Sequence, residues 1–157
     1  MSKKEKETQN RTITTNRKAR HNYELLDKYE AGIVLMGSEI KQIRAGRVNI
    51  SEAFVQARDG ELWLYNAHIT PYEAASHFGH NDPLRPRKLL LKRKEISKIF
   101  STIREVSYTA VPTRLYLTRG LAKIEIAVAR GKRQHDKRQT IAKRDADRRI
   151  RRELKNG

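Results

Sequence analysis

The sequence predicts a mainly β fold, a small closed barrel with two or three short helices and a basic C-terminal tail. Three observations carry this. Apolar runs of strand length recur along the body, an Asp-Gly pair separates two of them, and no alternating strand–helix rhythm appears. Closing such a sheet removes exposed edges, and OB-like barrels, which this pattern suits, commonly bind nucleic acid.

Residues 1–15 are polar and charged and read as a disordered arm, with the barrel over 16–130 and the tail over 131–157. Ala31-Gly32-Ile33-Val34-Leu35-Met36 is a buried run with strand character. Ser38 then caps a short helix through Arg44-Ala45, and Gly46 ends it. Ala53–Arg58 and Glu61–Tyr65 flank Asp59-Gly60 and form a hairpin. Residues 70–87 carry Pro71, Gly79, Pro83 and Pro86 and read as a long loop. Lys92–Val106 places Ile96, Ile99, Phe100 and Ile103 at helical spacing. Thr109–Thr118 reads as strand, with a bulge or edge at Pro112, and Arg119-Gly120 as a turn. Leu121–Ala129 alternates, Ile124, Ile126 and Val128 on one face, Lys123 and Glu125 on the other.

The tail packs Arg130, Lys132, Arg133, Lys137, Arg138, Lys143, Arg144, Arg148, Arg149, Arg151, Arg152 and Lys155 against few acids and no aromatic residue. It cannot bury a core of its own. Ala142, Ala146, Ile150 and Leu154 make a thin stripe at four-residue spacing. The expectation is a tail disordered when free and helical on an anionic partner.

Lys plus Arg number 35 against 18 Asp plus Glu, a formal charge of +17. Such a field attracts polyanions and repels further copies of the chain, so the free protein is expected to be a monomer. Nucleic acid is the leading partner class and an anionic membrane surface the second. The chain has no cysteine, which excludes disulfides, thiolate metal sites and cysteine nucleophiles. No apolar run reaches the length of a bilayer span and no secretory h-region follows Lys3, Lys4 and Lys6, so a cytoplasmic protein is expected.

No catalytic constellation stands out, and no cofactor is expected. His77, His80 and Asp82 read as solvated loop residues rather than a metal site. Asn16, Arg17, Lys18, His21 and Tyr23 combine cations with rings, which suits phosphates and unpaired bases, or else form a charged arm whose Tyr23 starts the core. Arg85, Arg87, Lys88, Lys92 and Arg93 suit a loop tracking a phosphate backbone, or a solvated face. His135, set among cations that resist its protonation, can stack on a base or sit in a passive linker.

Five blocks in order resemble the family of the SsrA-binding protein, SmpB: Asn16–Tyr23, Glu30–Lys41, Arg44–Gly46 with Asn49–Ser51, Arg87–Leu91, and Gly131–Arg138. The resemblance implies a non-enzymatic adaptor with an OB-like barrel that binds the tRNA-like domain of transfer-messenger RNA (tmRNA). It implies that the tail enters the empty mRNA channel and decoding centre of a stalled ribosome, so that trans-translation can rescue it and tag the nascent chain. By position, Asn16, Arg17, Lys18, His21, Tyr23, Glu30, Leu90, Lys92 and Lys123 are implied to face tmRNA. Gly131, Lys132, Arg133, His135, Asp136, Lys137 and Arg138 are implied to serve the ribosome, His135 by stacking on a small-subunit rRNA base. A ribosomal structural protein and an OB-type nuclease are the competing classes.

Overall fold

The computed structural model describes residues 10–72 and 82–132. It is mainly β, with three short helices. The elements, in chain order, are β1 (Asn10–Thr15), α1 (Arg17–Asn22), β2 (Tyr23–Ile33), α2 (Gly37–Arg44), β3 (Val48–Asn49), β4 (Phe54–Arg58), β5 (Glu61–Tyr65), β6 (His68–Ile69), β7 (Arg87–Leu90), α3 (Arg93–Ile103), β8 (Tyr108–Thr118) and β9 (Leu121–Gly131).

The main sheet runs β1-β8-β4-β5-β7-β2-β9, and β9 pairs in turn with β8, so the ladder returns on itself. Every pairing is antiparallel. The short strands β3 and β6 pair separately. Ile43, Leu62, Leu64, Leu89, Ile99, Leu115, Ile124 and Ile126 fill the interior.

The expected hairpin at Asp59-Gly60 and the expected turn at Arg119-Gly120 both form. Asp59 and Gly60 have φ of 51° and 76°, and Arg119 and Gly120 have 52° and 77°. Two positive φ values in a two-residue loop give the turn whose twist matches the flanking strands, and glycine takes the second at no steric cost. Pro112 sits where the β8–β9 register shifts, between Pro112 and Arg114, as expected of a residue without a donor. In α3, Ile96 and Ile99 are buried, and Phe100 and Ile103 pack partly buried against the core beside them.

Four expectations are corrected. Asn10–Thr15 is not a disordered arm but a strand on β8, its alternate threonines offering β-branched side chains to the ladder. Residues 16–22, read only as a basic motif, hold helix α1, which packs Ala19 on Val111 and Ala129 outside the main core. Ser38 does not cap α2; the helix begins at Gly37, after Met36, whose N–H donates to Glu39 Oε1 at 2.8 Å. The run from Ala31 is not a buried strand of its own: only Ala31 is buried, Val34 and Met36 are exposed, and its first residues end an eleven-residue strand that starts at Tyr23 and stops at Ile33. Residues 1–9, 73–81 and 133–157, including His77, His80 and most of the tail, lie outside the described residues.

Candidate nucleic-acid interface

The expected site residues fall in two groups at opposite ends of β2. Tyr23 and Gly32 are nine residues apart, about 30 Å at a strand's rise per residue.

The first group is built on Asn16. Its side chain is buried, and every group on it is engaged. Oδ1 accepts from Ala19 N at 3.0 Å, capping α1, while Nδ2 donates to Ile50 O at 3.0 Å and Pro112 O at 2.8 Å. Asn16 was expected to face RNA. Its side chain instead joins α1, β8 and the segment after β3, and has no donor left for a ligand. What it sets out is exposed: Arg17, Lys18, Arg20 and His21 stand on the outer side of α1. Lys18 is paired with Glu52, both half-exposed, so a phosphate can compete for it at modest cost. Lys18, Asn22, Tyr23, Ser51 and Phe54 border a depression of about 210 Å³.

The chain leaves the sheet beside this helix. Gly131 pairs with Tyr23, and Lys132 N donates to Asn22 O at 3.0 Å. A Cβ on Gly131 would lie 4.0 Å from the Tyr23 ring. The basic motif at 16–23 and the root of the tail are therefore one place.

The second group gathers Glu30, Leu90 and Lys123. Gly32 pairs with Leu90 on one side and Lys123 on the other. A Cβ at Gly32 would sit 3.3 Å from Leu90 Cβ and 3.8 Å from Lys123 Nζ, so the missing side chain lets both lie over the strand. Leu90 is 52% exposed and presents its side chain to solvent beside Gly32. Leu121, Arg44 and Gly120 line the same groove.

Glu30 is exposed and stands opposite Glu125, a like-charged pair. Neighbours relieve it. Glu125 Oε2 accepts from Thr113 Oγ1 at 2.6 Å, and Arg114 is its partner on β8. Burial pushes the Tyr116 phenol's pKa up, and its hydrogen bond to Glu30 pushes it further. Arg114 lies over the Tyr116 ring at 4.3 Å. Glu30 thus holds the phenol that supports an arginine, which accounts for a carboxylate in a basic surface. Arg114 and Tyr116 were not singled out from sequence; their meeting with Glu30 depends on strand register alone.

Arg85 and Arg87 were expected to track a phosphate backbone or to form part of a solvated face. The structure places Arg87 in β7, wholly buried, clamped to the equally buried Glu39 of α2. Arg87 Nε donates to Glu39 Oε2 at 2.7 Å, Nη1 to Ala67 O at 2.5 Å and Nη2 to Pro83 O at 3.2 Å. Arg85 donates to Glu39 Oε1. Burial pushes the Glu39 carboxyl up, but the bonds from Arg85, Met36 N and Arg87 outweigh it and hold its pKa below the ordinary value. This cluster ties α2, β7 and the 82–86 segment together. It is architecture, not interface. Lys92 is exposed, just before α3.

No group of three or more metal-ligating side chains occurs among the described residues, and none of their helices is long and apolar enough to cross a membrane. Arg133, His135, Asp136, Lys137 and Arg138 lie outside the described residues.

The sequence profile of the SmpB protein family matches residues 13–156. An SsrA-binding protein of Dehalococcoides mccartyi is 54% identical over 144 residues, 92% of this chain and 83% of the relative. One from Mycolicibacterium smegmatis is 51% identical over 154 residues, 98% of this chain and 95% of the relative. A solved chain described as "tmRNA-SmpB: a journey to the center of the bacterial ribosome" is 45% identical and superposes with a TM-score of 0.64, covering 76% of this chain and 84% of that one. With the profile and these relatives spanning nearly its whole length, the chain belongs to the SmpB protein family.

Proposed function

We propose that the chain is a non-enzymatic RNA-binding adaptor that binds the tRNA-like domain of tmRNA and delivers it to stalled ribosomes for trans-translation. Family membership supports this, as do relatives named for SsrA binding and a structural relative described with tmRNA and the bacterial ribosome. The observation that carries it is the exposed row Arg17, Lys18, Arg20 and His21, set on a helix by a buried asparagine, at the root of a basic tail. Cations fixed on a rigid element bind phosphate with less ordering cost than a free arm.

The returning ladder is read as a closed, OB-like barrel. Arg17, Lys18, His21, Tyr23, Leu90, Lys92 and Lys123 contact tmRNA, while Glu30 acts through Tyr116 and Arg114. Gly131, Lys132, Arg133, His135, Asp136, Lys137 and Arg138 serve the ribosome, His135 by stacking in the decoding centre and the tail by becoming helical in the empty mRNA channel. The protein works in the cytoplasm, as a monomer when free, without a cofactor.

Because Gly131 and Lys132 are held against Tyr23 and Asn22, the cut that separates the two parts comes after Lys132. Truncation there leaves affinity for a tRNA-like RNA within about threefold and abolishes tagging in a reconstituted translation system. Loss of RNA affinity on truncation would overturn the division of labour.

A further inference from the structure

The outer face of β4 and β5 touches the groups above only through Phe54, at the border of the depression beside Lys18. Its cross-strand pairs are Phe54 with Tyr65, Gln56 with Trp63, and Arg58 with Glu61. Inward neighbours Val55, Leu62 and Leu64 are buried, so the aromatic side chains stand outside the core. Phe54 and Tyr65 stack at 5.6 Å between centroids with 15° between ring planes. Trp63 lies one pair along, with Arg58 5.8 Å from its ring. Its next neighbour across the sheet is Lys88 on β7. Trp63 Nε1 is buried and has no hydrogen-bond partner among the described residues.

A core does not need these rings, since the face lies outside it. A solubilising face would not spend three large aromatic residues on adjacent pairs. Three flat rings, with Arg58 over one of them and Lys88 on the next strand, meet the two needs of an unpaired nucleic-acid strand, stacking for bases and charge for phosphates. The +17 charge favours an anionic occupant over an apolar peptide. Phe54 also borders the depression beside Lys18 and Tyr23, and Lys88 lies two residues from Leu90, so the face bridges the two groups.

We propose that Phe54, Trp63 and Tyr65, with Arg58 and Lys88, form a stacking platform for unpaired bases of a looped or single-stranded RNA segment. The proposal rests on the RNA-binding reading and adds to it a surface that takes bases rather than folded shape.

The chain has one tryptophan, Trp63, so its emission reports the platform directly. The full chain is titrated with a ten-nucleotide single-stranded RNA, an RNA duplex of equal charge and inorganic polyphosphate, with polarisation of labelled RNA in parallel. Single-stranded RNA quenches the emission by more than half, while duplex and polyphosphate leave it nearly unchanged. Phe54→Ala and Tyr65→Ala each weaken single-strand binding about tenfold at an unchanged melting temperature, by the usual loss of a base stack. Tyr65→Phe keeps the ring and binds as the parent does. Equal quenching by all three polyanions means a field effect and overturns the platform; so does unchanged affinity in both alanine variants. If either alanine variant melts early, Arg58→Ala decides, because that side chain is exposed and its loss must weaken single-strand binding; unchanged binding overturns the platform. Retained affinity for a tRNA-like RNA alongside failure of these outcomes rejects the platform alone; loss of both rejects the RNA-binding reading.

Discussion

Arg87→Ala removes the centre of the buried cluster, and the structure sets the size of the effect. Both Arg87 and Glu39 side chains are 0% exposed, and the guanidinium donates to one carboxylate and two backbone carbonyls. Truncation strips Ala67 O and Pro83 O of a donor and leaves the Glu39 carboxylate with Arg85 and Met36 N only. Breaking a buried ion pair from one side costs about 3–5 kcal/mol. At about 4 °C per kcal/mol for a domain of this size, the melting temperature falls by about 12–20 °C. Arg85→Ala is the internal comparison. That side chain is 32% exposed, and losing its pair costs about 1 kcal/mol, a fall of about 4 °C. Arg87→Lys keeps the charge but not the fork, and recovers less than half of the loss. Thermal unfolding followed by circular dichroism at neutral pH measures all three. If Arg87→Ala melts within about 4 °C of the parent, or if Arg85→Ala matches it, the cluster does not hold α2 to β7 as described.

Two further outcomes follow. Glu39 has a folded pKa below its ordinary value, so its contribution is complete above the unfolded value and is lost as pH falls through the lower folded one. The stability gap between parent and Glu39→Gln is therefore constant near neutrality and narrows below about pH 4; a gap that widens on acidification would contradict the assignment. Asn16→Ala loses a helix cap and leaves Ile50 O and Pro112 O without that donor, costing about 2–3 kcal/mol and lowering the melting temperature by about 8–12 °C. A melting temperature unchanged with RNA affinity reduced would restore Asn16 as a contact.

The elements legible in the sequence are those whose signal is local. Asp59-Gly60 marks its hairpin by turn chemistry, the Ile96-Ile99-Phe100-Ile103 spacing marks α3, and Ile124-Ile126-Val128 marks the inner face of β9. What was missed depends on partners far along the chain. The threonines of β1 become a strand only because β8, about a hundred residues on, has a free edge. The burial of Arg87 had a signal that went unused: it shares parity with Leu89, and a strand that turns Leu89 inward turns Arg87 inward too. Nothing local names its partner, because Glu39 is 48 residues away. The site shows the same division. Composition revealed the basic motif at 16–23 and the basic tail, but not that the motif forms a helix, and the support of Arg114 by Tyr116 and Glu30 exists only in register.

The strand that ends at Gly131 has neighbours on both sides, β8 along one edge and β2 along the other. Tension on the chain beyond it, directed along the strand, is shared among crosswise hydrogen bonds in two ladders at once rather than opening them one by one. A tail drawn taut inside a large assembly thus pulls against a firm anchorage. The force passes to β2 and α1 beside it, so whatever α1 holds travels with the tail as one mechanical unit.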